Sequence, residues 1–250
     1  MKTKTITSKS SFERAKNLIL ILTIGFFTFS CSSDDGFEDA NGNAAKKYIT
    51  KIIAQTGNEI TVSKVVYNNE GRVVSASLGD DTRYFSYNDN GRLEKVAGGG
   101  ENIFTSEVIS EIYDIYEIGD VLEFDQKGNP TVLKLYDTDF YGNQITNMAY
   151  LTYDEKPFAY YYTMDAAGII DVLYDVRFRF IAPPEIVMAK KLLPVNNPVK
   201  AIIKNNSDQE IRSISVNYIY DENNYPKTAS VVSIDDEGYA ESYDLTYEYR

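Results

Sequence analysis

The chain has 250 residues, with 25 Lys and Arg against 37 Asp and Glu, which gives a formal net charge of −12 at pH 7. Such a chain repels phosphate-rich partners, and without a cluster of Lys and Arg it is not expected to bind nucleic acid. Histidine is absent and there is one cysteine. These two counts exclude Ser-His-Asp and Cys-His catalysis and zinc sites built from His and Cys. We therefore expect no cofactor, no metal and no enzyme of those classes.

Residues 1–30 have the order of charged and apolar residues that is typical of an export signal. Five basic residues and one acidic residue lie within the first sixteen positions, and the uncharged run LILILTIGFFTF follows. An apolar run of about twelve residues is short for a membrane-spanning helix, which needs about twenty. Residues 1–30 are therefore predicted to be a cleaved signal peptide.

Cys31 follows the apolar run at one residue's distance. This order is similar to that of a bacterial lipoprotein signal, in which the thiol is acylated and the cysteine becomes the new N-terminus. Cys31 is therefore the predicted lipid attachment, and the membrane is a predicted partner through that lipid alone. Ser33, Asp34 and Asp35 resemble the acidic tag that exports lipoproteins of the phylum Bacteroidota to the outer face of the outer membrane. The alternative is an ordinary secretory signal in which Cys31 has no role.

Residues 31–45 are small, polar and acidic, with a single aromatic residue. Such a stretch buries too little apolar area to offset the entropy lost on ordering, so it is predicted to be a flexible acidic tether. Residues 46–250 are long enough for a substantial core and are predicted to form a single antiparallel β domain.

The predicted β domain carries an irregular repeat: an aromatic or apolar residue, Asn or Asp, two mostly polar residues, and Gly. Asn or Asp opens a type I turn by bonding to the backbone two residues on, and Gly takes the left-handed position that completes a bulged loop. Each copy therefore predicts a strand, a tight turn and a second strand. Copies begin at Tyr67, Tyr87, Phe124, Met164 and Ile234, and variants without the glycine begin at Tyr153 and Tyr220.

Twelve runs between these turns have strand composition: YITKIIAQ, EITVSKVVY, VVSASL, RYFSY, RLEKV, VLEF, TVLKLY, ITNMAYLTY, VKAIIK, IRSISVNYIY, KTASVVSI and YDLTYEY. The predicted fold is all-β and mainly antiparallel, a meander of roughly a dozen strands forming a curled sheet or barrel. One short helix is expected over Pro183–Pro194, and SEVISEIYDIYEIG is assigned as a strand. Polar residues on both faces of several strands favour a lipid-tethered soluble sheet over a transmembrane barrel.

The turn pattern resembles the YD repeats of bacterial Rhs-type shell proteins. The lipoprotein signal, together with YNDNGRLEKV, YDEKPFAYYY, NNPVKAI and YDLTYEYR, resembles a family of Bacteroidota surface lipoproteins of unknown function with a porin-like β fold. The resemblance covers most of residues 46–250. It implies a lipid-anchored outer-membrane protein facing the cell exterior, and it supplies no catalytic residues. KPFAY stands where the resemblance would place an Asn-Pro pair.

Three functions remain open at the level of sequence. The leading one is noncatalytic binding of an extracellular ligand, such as a glycan or another envelope protein. FAYYYTM, residues 158–164, could stack on a glycan, but core and cross-strand packing is the favoured role for these aromatic residues. The alternatives are a carboxylate-dependent glycoside hydrolase and a purely structural envelope protein. The acidic stretches YDTDFYGNQ and IDDEGYAE do not have the ligand spacing of an EF-hand, so no calcium site is expected.

Overall fold

The computed structural model describes residues 36–42, 44–110, 112–114, 119–138, 144–179 and 186–250. The predicted signal peptide, Cys31, Ser33, Asp34 and Asp35 lie outside these residues. No helix of the described part of the chain is long and apolar enough to cross a membrane.

Sixteen strands and four short α-helices are described. The strands are β1 Ile49–Thr56, β2 Glu59–Tyr67, β3 Val73–Leu78, β4 Asp81–Tyr87, β5 Leu93–Gly98, β6 Glu101–Phe104, β7 Ile112–Asp114, β8 Gly119–Phe124, β9 Pro130–Thr138, β10 Gln144–Pro157, β11 Arg177–Arg179, β12 Ile186–Met188, β13 Asn196–Lys204, β14 Glu210–Tyr220, β15 Pro226–Asp235 and β16 Ala240–Tyr249. The helices are α1 Gly36–Asn41, α2 Thr105–Ser110, α3 Tyr161–Ala166 and α4 Ile169–Asp175, with a 3₁₀ helix over Ala189–Leu192.

Thirteen strands form one curled antiparallel sheet that does not close into a barrel. Their order is β6-β5-β4-β3-β2-β1-β16-β15-β14-β13-β10-β9-β8, so the first and last strands of the sequence meet near its middle. A small second sheet has the order β12-β11-β7. The predicted all-β antiparallel meander is confirmed, and each of the twelve predicted runs lies within a strand except for at most one terminal residue.

The repeated turns have one geometry wherever they join two strands. In the copy after β2, the Asn68 side-chain oxygen accepts hydrogen bonds from the backbone N–H groups of Glu70 and Arg72, at 3.0 and 2.9 Å. Gly71 closes the turn with a φ of 84°. The variant that begins at Tyr220 keeps this geometry, because Asn224 takes the left-handed position with a φ of 65°. Asparagine adopts that conformation more readily than most residues, which is why glycine is dispensable there.

Two copies of the repeat do not form hairpins, contrary to prediction. Gly168, in the copy from Met164, has a φ of 70° but caps α3, and its N–H donates to the Asp165 carbonyl at 2.8 Å. Two alanines precede this glycine, and alanine favours a helix over a turn. In the copy from Tyr153, Asp154 accepts from the Lys156 N–H at 2.8 Å, yet β10 continues to Pro157 with an irregular register instead of reversing.

Two further assignments are corrected. The helix predicted over Pro183–Pro194 is wrong, because Ile186–Met188 is strand β12, and within the described residues 186–194 only Ala189–Leu192 is helical, as one 3₁₀ turn. β-Branched residues favour strands, and β11 provides the partner. Among the described residues of SEVISEIYDIYEIG, Ile112–Asp114 and Gly119 are in strands, whereas residues 106–110 belong to α2.

The two ends of the large sheet differ in the elements that lie there, because the short helices α1, α3 and α4 lie at one end only. We call one end of the sheet the helical rim, which comprises residues 36–42, 67–72, 87–92, 125–129, 158–176 and 221–225. The opposite end, the hairpin rim, comprises the loops at 57–58, 79–80, 99–100, 205–209 and 236–239. One core cluster lies on the middle strands, around Ile52, Val231 and Leu245. A second lies at the helical rim, where α1, α3 and α4 cover the strand ends.

Part of the predicted tether is folded, which corrects that prediction for residues 36–42. Helix α1 spans Gly36–Asn41, and its Phe37 is only 1% exposed. The Phe37 ring stacks on Tyr161 with a centroid distance of 3.7 Å. Amino-acid composition did not predict this helix, because one aromatic residue is enough to dock a short segment where the domain already presents an aromatic surface.

Candidate functional site

A polar cleft of about 450 Å³ opens at the helical rim, between the turns after β2 and β4 and the junction of α3 with α4. Two arginines, two tyrosines and three carboxylates line it beside small residues. The lining residues are Tyr48, Glu70, Gly71, Arg72, Tyr87, Gly91, Asp165, Ala166, Gly168, Asp171 and Arg250.

The Asn-x-x-Gly-Arg turns place Arg72 in the cleft and leave room for it. Arg72 follows the glycine of the first turn, and its side chain passes the glycine of the next. A Cβ atom on Gly91 would lie 2.1 Å from Arg72 Nη2. Similarly, a Cβ atom on Gly71 would lie 3.2 Å from Arg250 Nη2. Each turn glycine therefore serves both the backbone conformation and the close approach of an arginine.

Arg250 reaches the cleft because the first and last strands are neighbours. The Arg250 N–H donates to the Tyr48 carbonyl at 2.9 Å, which holds the two residues side by side. Its guanidinium carbon lies 4.3 Å from the Tyr67 ring centroid and 5.5 Å from that of Tyr48. A guanidinium over an aromatic face is a favourable cation–π arrangement. This stacking orients Arg250 beside the cleft.

The two repeat tyrosines at this end of the sheet are fixed by their hydroxyl groups. Tyr67 donates to the Ile49 carbonyl, and Tyr87 donates to the Val73 carbonyl, each at 2.6 Å. Burial raises the pKa of Tyr87 to about 12, although the nearby Arg72 charge lowers it. Tyr87 is therefore neutral at physiological pH, and its ring lies 5.4 Å from the Arg72 guanidinium carbon.

Three carboxylates add negative charge to the cleft. Asp165 is the penultimate residue of α3, and Asp171 lies in the first turn of α4. Burial raises the pKa of Asp165, repulsion from Asp171 raises it further, and Lys46 partly lowers it. Glu70 completes the acidic set, with its carboxylate 3.9 Å from Arg72 Nε. Fixed donors and acceptors thus face one cavity, an arrangement suited to a neutral polyhydroxylated ligand.

The functional residues predicted from the sequence are not the ones that line the cleft. Cys31, Ser33, Asp34 and Asp35 lie outside the described residues, so their predicted roles remain predictions. FAYYYTM is core: Phe158, Tyr162 and Met164 are each less than 7% exposed. Across the described ranges, His, Cys, Asp and Glu form no group of three that could hold a metal ion.

The cleft residues were not predicted from the sequence. The local signal nearest to them is the Gly-Arg pair that ends two turns, Gly71-Arg72 and Gly91-Arg92, of which Gly71, Arg72 and Gly91 line the cleft. Arg72 lines the cleft, whereas Arg92 lies 3.3 Å from Asp175 in an exposed ion pair. Only the pairing of neighbouring strands distinguishes the two arginines.

An apolar cavity of about 40 Å³ lies between the middle strands and residues 158–160. Val216, Val231 and Leu245 are among its lining residues. A cavity of this size has room for water but not for a sugar ring. The polar cleft is therefore the better candidate ligand site.

No protein-family description matches the chain, and no curated protein is significantly similar to it. Among solved structures, a porin-like protein from Bacteroides vulgatus ATCC 8482 has 16% identity and a TM-score of 0.44, with 82% of this chain and 99% of that chain covered. A porin-like protein from Bacteroides uniformis ATCC 8492 has 11% identity and a TM-score of 0.37, with 81% and 98% covered. A putative outer membrane lipoprotein-sorting protein domain from Vibrio parahaemolyticus has 13% identity and a TM-score of 0.25, with 86% and 88% covered.

Proposed function

We propose that the protein is a lipid-anchored, noncatalytic binding protein of the outer membrane surface, and that the cleft at its helical rim binds a glycan. The observation that carries this proposal is the cleft itself. Its volume of about 450 Å³ lies within the range of small-ligand sites, roughly 300–1,000 Å³. Its wall offers guanidinium donors, carboxylate acceptors and tyrosine side chains at fixed positions.

The chemistry of the wall matches a sugar. A pyranose presents hydroxyl groups that both donate and accept hydrogen bonds, and a ring face that packs on aromatic side chains. Arg72 and Arg250 donate in several directions, whereas Glu70, Asp165 and Asp171 accept. Because charges of both signs line the cleft, a neutral or amino sugar fits it better than a polyanion.

A glycan array tests the proposal with a matched pair of variants. The soluble chain from residue 32 onward is applied as wild type, as Arg72→Gln and as Arg92→Gln. Arg72 and Arg92 occupy the same position in two copies of one turn, but only Arg72 lines the cleft. We expect wild type and Arg92→Gln to bind the same glycans, and Arg72→Gln to bind about tenfold more weakly through loss of charge-assisted hydrogen bonds. Equal binding by all three variants, or by none, contradicts the proposal.

The anchor is tested separately on cells. Replacement Cys31→Ala should abolish incorporation of labelled fatty acid and release the protein from the membrane fraction. With Asp34 and Asp35 both changed to alanine, lipidation should persist but external protease should no longer shave the protein from intact cells. Lipid labelling of Cys31→Ala, or equal shaving of wild type and the double variant, contradicts the corresponding part of the proposal.

A carboxylate-dependent glycoside hydrolase is the second candidate, because Asp165 and Asp171 line one cleft and the pKa of Asp165 is raised by burial and by Asp171. A raised pKa suits a general acid. The test is release of reducing ends from any glycan that binds. Turnover by wild type that Asp165→Asn abolishes would establish the hydrolase and overturn noncatalytic binding, whereas an intact glycan after prolonged incubation supports binding alone.

A further inference from the structure

Helix α1 is a fixed part of the helical rim. Besides the stacking of Phe37 on Tyr161, the Asn41 side-chain amide donates to the Val195 carbonyl at 2.8 Å. The buried Asn196 amide donates in turn to Asn41 Oδ1 at 3.2 Å. Aromatic stacking and two hydrogen bonds to distant parts of the chain therefore hold α1 against the domain.

The position of α1 limits how far the domain can lie from its proposed lipid. Cys31 is five residues before Gly36, and five extended residues span at most about 18 Å. The seven residues of β4 separate the helical rim from the hairpin rim by about 23 Å. A lipid on Cys31 therefore holds the helical rim nearer the membrane than the hairpin rim.

The cleft lies close to α1 on this same rim. The Tyr162 ring contacts Phe37 at a centroid distance of 5.4 Å on one side. On its other side it lies 6.1 Å from the ring of Tyr48, which lines the cleft. One aromatic side chain thus separates the membrane-proximal helix from the cleft wall.

We propose that the cleft binds the sugar head group of a glycolipid in the membrane that carries the anchor. This inference rests on the proposed function, since it assumes both the lipid on Cys31 and a glycan in the cleft. A short connection to the lipid keeps the cleft near the head groups and raises their effective concentration around it. Free polysaccharide strands are the competing source of the same chemistry.

The orientation is tested with single fluorescent labels on the acylated protein. Because the chain has one cysteine and its thiol would carry lipid, an introduced cysteine is the only free thiol. Asp89→Cys places a label on the helical rim, and Asp80→Cys places the matched label at the other end of β4. In phosphatidylethanolamine vesicles with a nitroxide quencher on the head group, quenching should be strong at position 89 and weak at position 80. Equal quenching, or stronger quenching at position 80, overturns the inference.

The ligand is tested in vesicles with and without a glycolipid that has a neutral head group, digalactosyldiacylglycerol. Its presence should increase quenching at position 89; Arg72→Gln should abolish this increase and Arg92→Gln should retain it. The soluble Cys31→Ala chain is tested in parallel with the free head-group oligosaccharide. Binding of the free oligosaccharide without any effect of the glycolipid on the anchored protein overturns this inference and leaves the proposed function standing. Failure of the soluble chain to bind it, with no array hit, overturns both.

Discussion

Gly91 shows how one residue can serve both the turn and the cleft. Its φ of 77° is left-handed, and a Cβ atom there would lie 2.1 Å from Arg72 Nη2, so any side chain must displace the Arg72 guanidinium. Asp89, two positions earlier, is exposed and has neither constraint.

Replacement Gly91→Val should lower the free energy of unfolding by more than about 1 kcal/mol, because a β-branched residue is strained at positive φ. It should also displace Arg72 and weaken glycan binding. Asp89→Ala is the matched control, with an expected change within about 0.5 kcal/mol. Chemical denaturation measures both, and equal stability of Gly91→Val and wild type would show that this glycine is not required by the turn.

A second residue-scale prediction concerns Asp221, which forms an ion pair with Lys47 and accepts from the Asn223 and Tyr225 N–H groups at 2.9 and 3.0 Å. Burial raises the pKa of Asp221, but Lys47 and the two backbone N–H groups together outweigh burial, so the net pKa is lowered. A lowered folded-state pKa stabilises the fold above the unfolded value of about 3.9, and the contribution is lost as pH falls through the folded value.

Asp221→Asn should therefore be less stable than wild type at neutral pH by about 1 kcal/mol, with the difference shrinking below about pH 4. Glu248→Gln, in the exposed pair with Lys51, should change stability much less. Denaturation curves across this pH range decide the point. A difference between Asp221→Asn and wild type that does not vary with pH would assign the effect to the turn instead of the charge.

At the scale of elements, helix α1 is the part of the fold most dependent on a single side chain. Phe37→Ala should undock it, so amide exchange at residues 38–42 should become fast while β1 stays protected. Phe124→Ala, at a 39% exposed phenylalanine, is the control and should leave α1 protected. Retained protection of α1 in Phe37→Ala would mean that the Asn41 hydrogen bonds suffice to dock it.

The elements also show where sequence-based inference works. Hairpins are predictable because Asx-turn chemistry and left-handed glycine are local properties, as at Asn68 and Gly71. The same signals around Gly168 end a helix, because a left-handed glycine is equally compatible with a helix cap. Helix α1 escaped prediction since its stability comes from Tyr161 and Val195, which are distant in sequence.

At the scale of the whole molecule, the cleft exists because the sheet brings distant segments together. β1 pairs with β16, which places Tyr48 beside Arg250, and the α3–α4 junction adds Asp165 and Asp171. No local motif contains these residues together. The β architecture was therefore predictable from sequence, whereas the residues that line the cleft were not, and the lipid anchor and ligand binding stay predictions.

The most direct test of glycan binding in the cleft is hydrogen–deuterium exchange of the soluble chain with and without a glycan that it binds at saturation. We predict slower exchange at residues 70–72, 87–91 and 165–171, which surround the cleft, and unchanged exchange in the hairpin-rim loops at 57–58 and 79–80. Saturable binding that protects the hairpin rim and leaves the cleft segments unchanged would contradict the account.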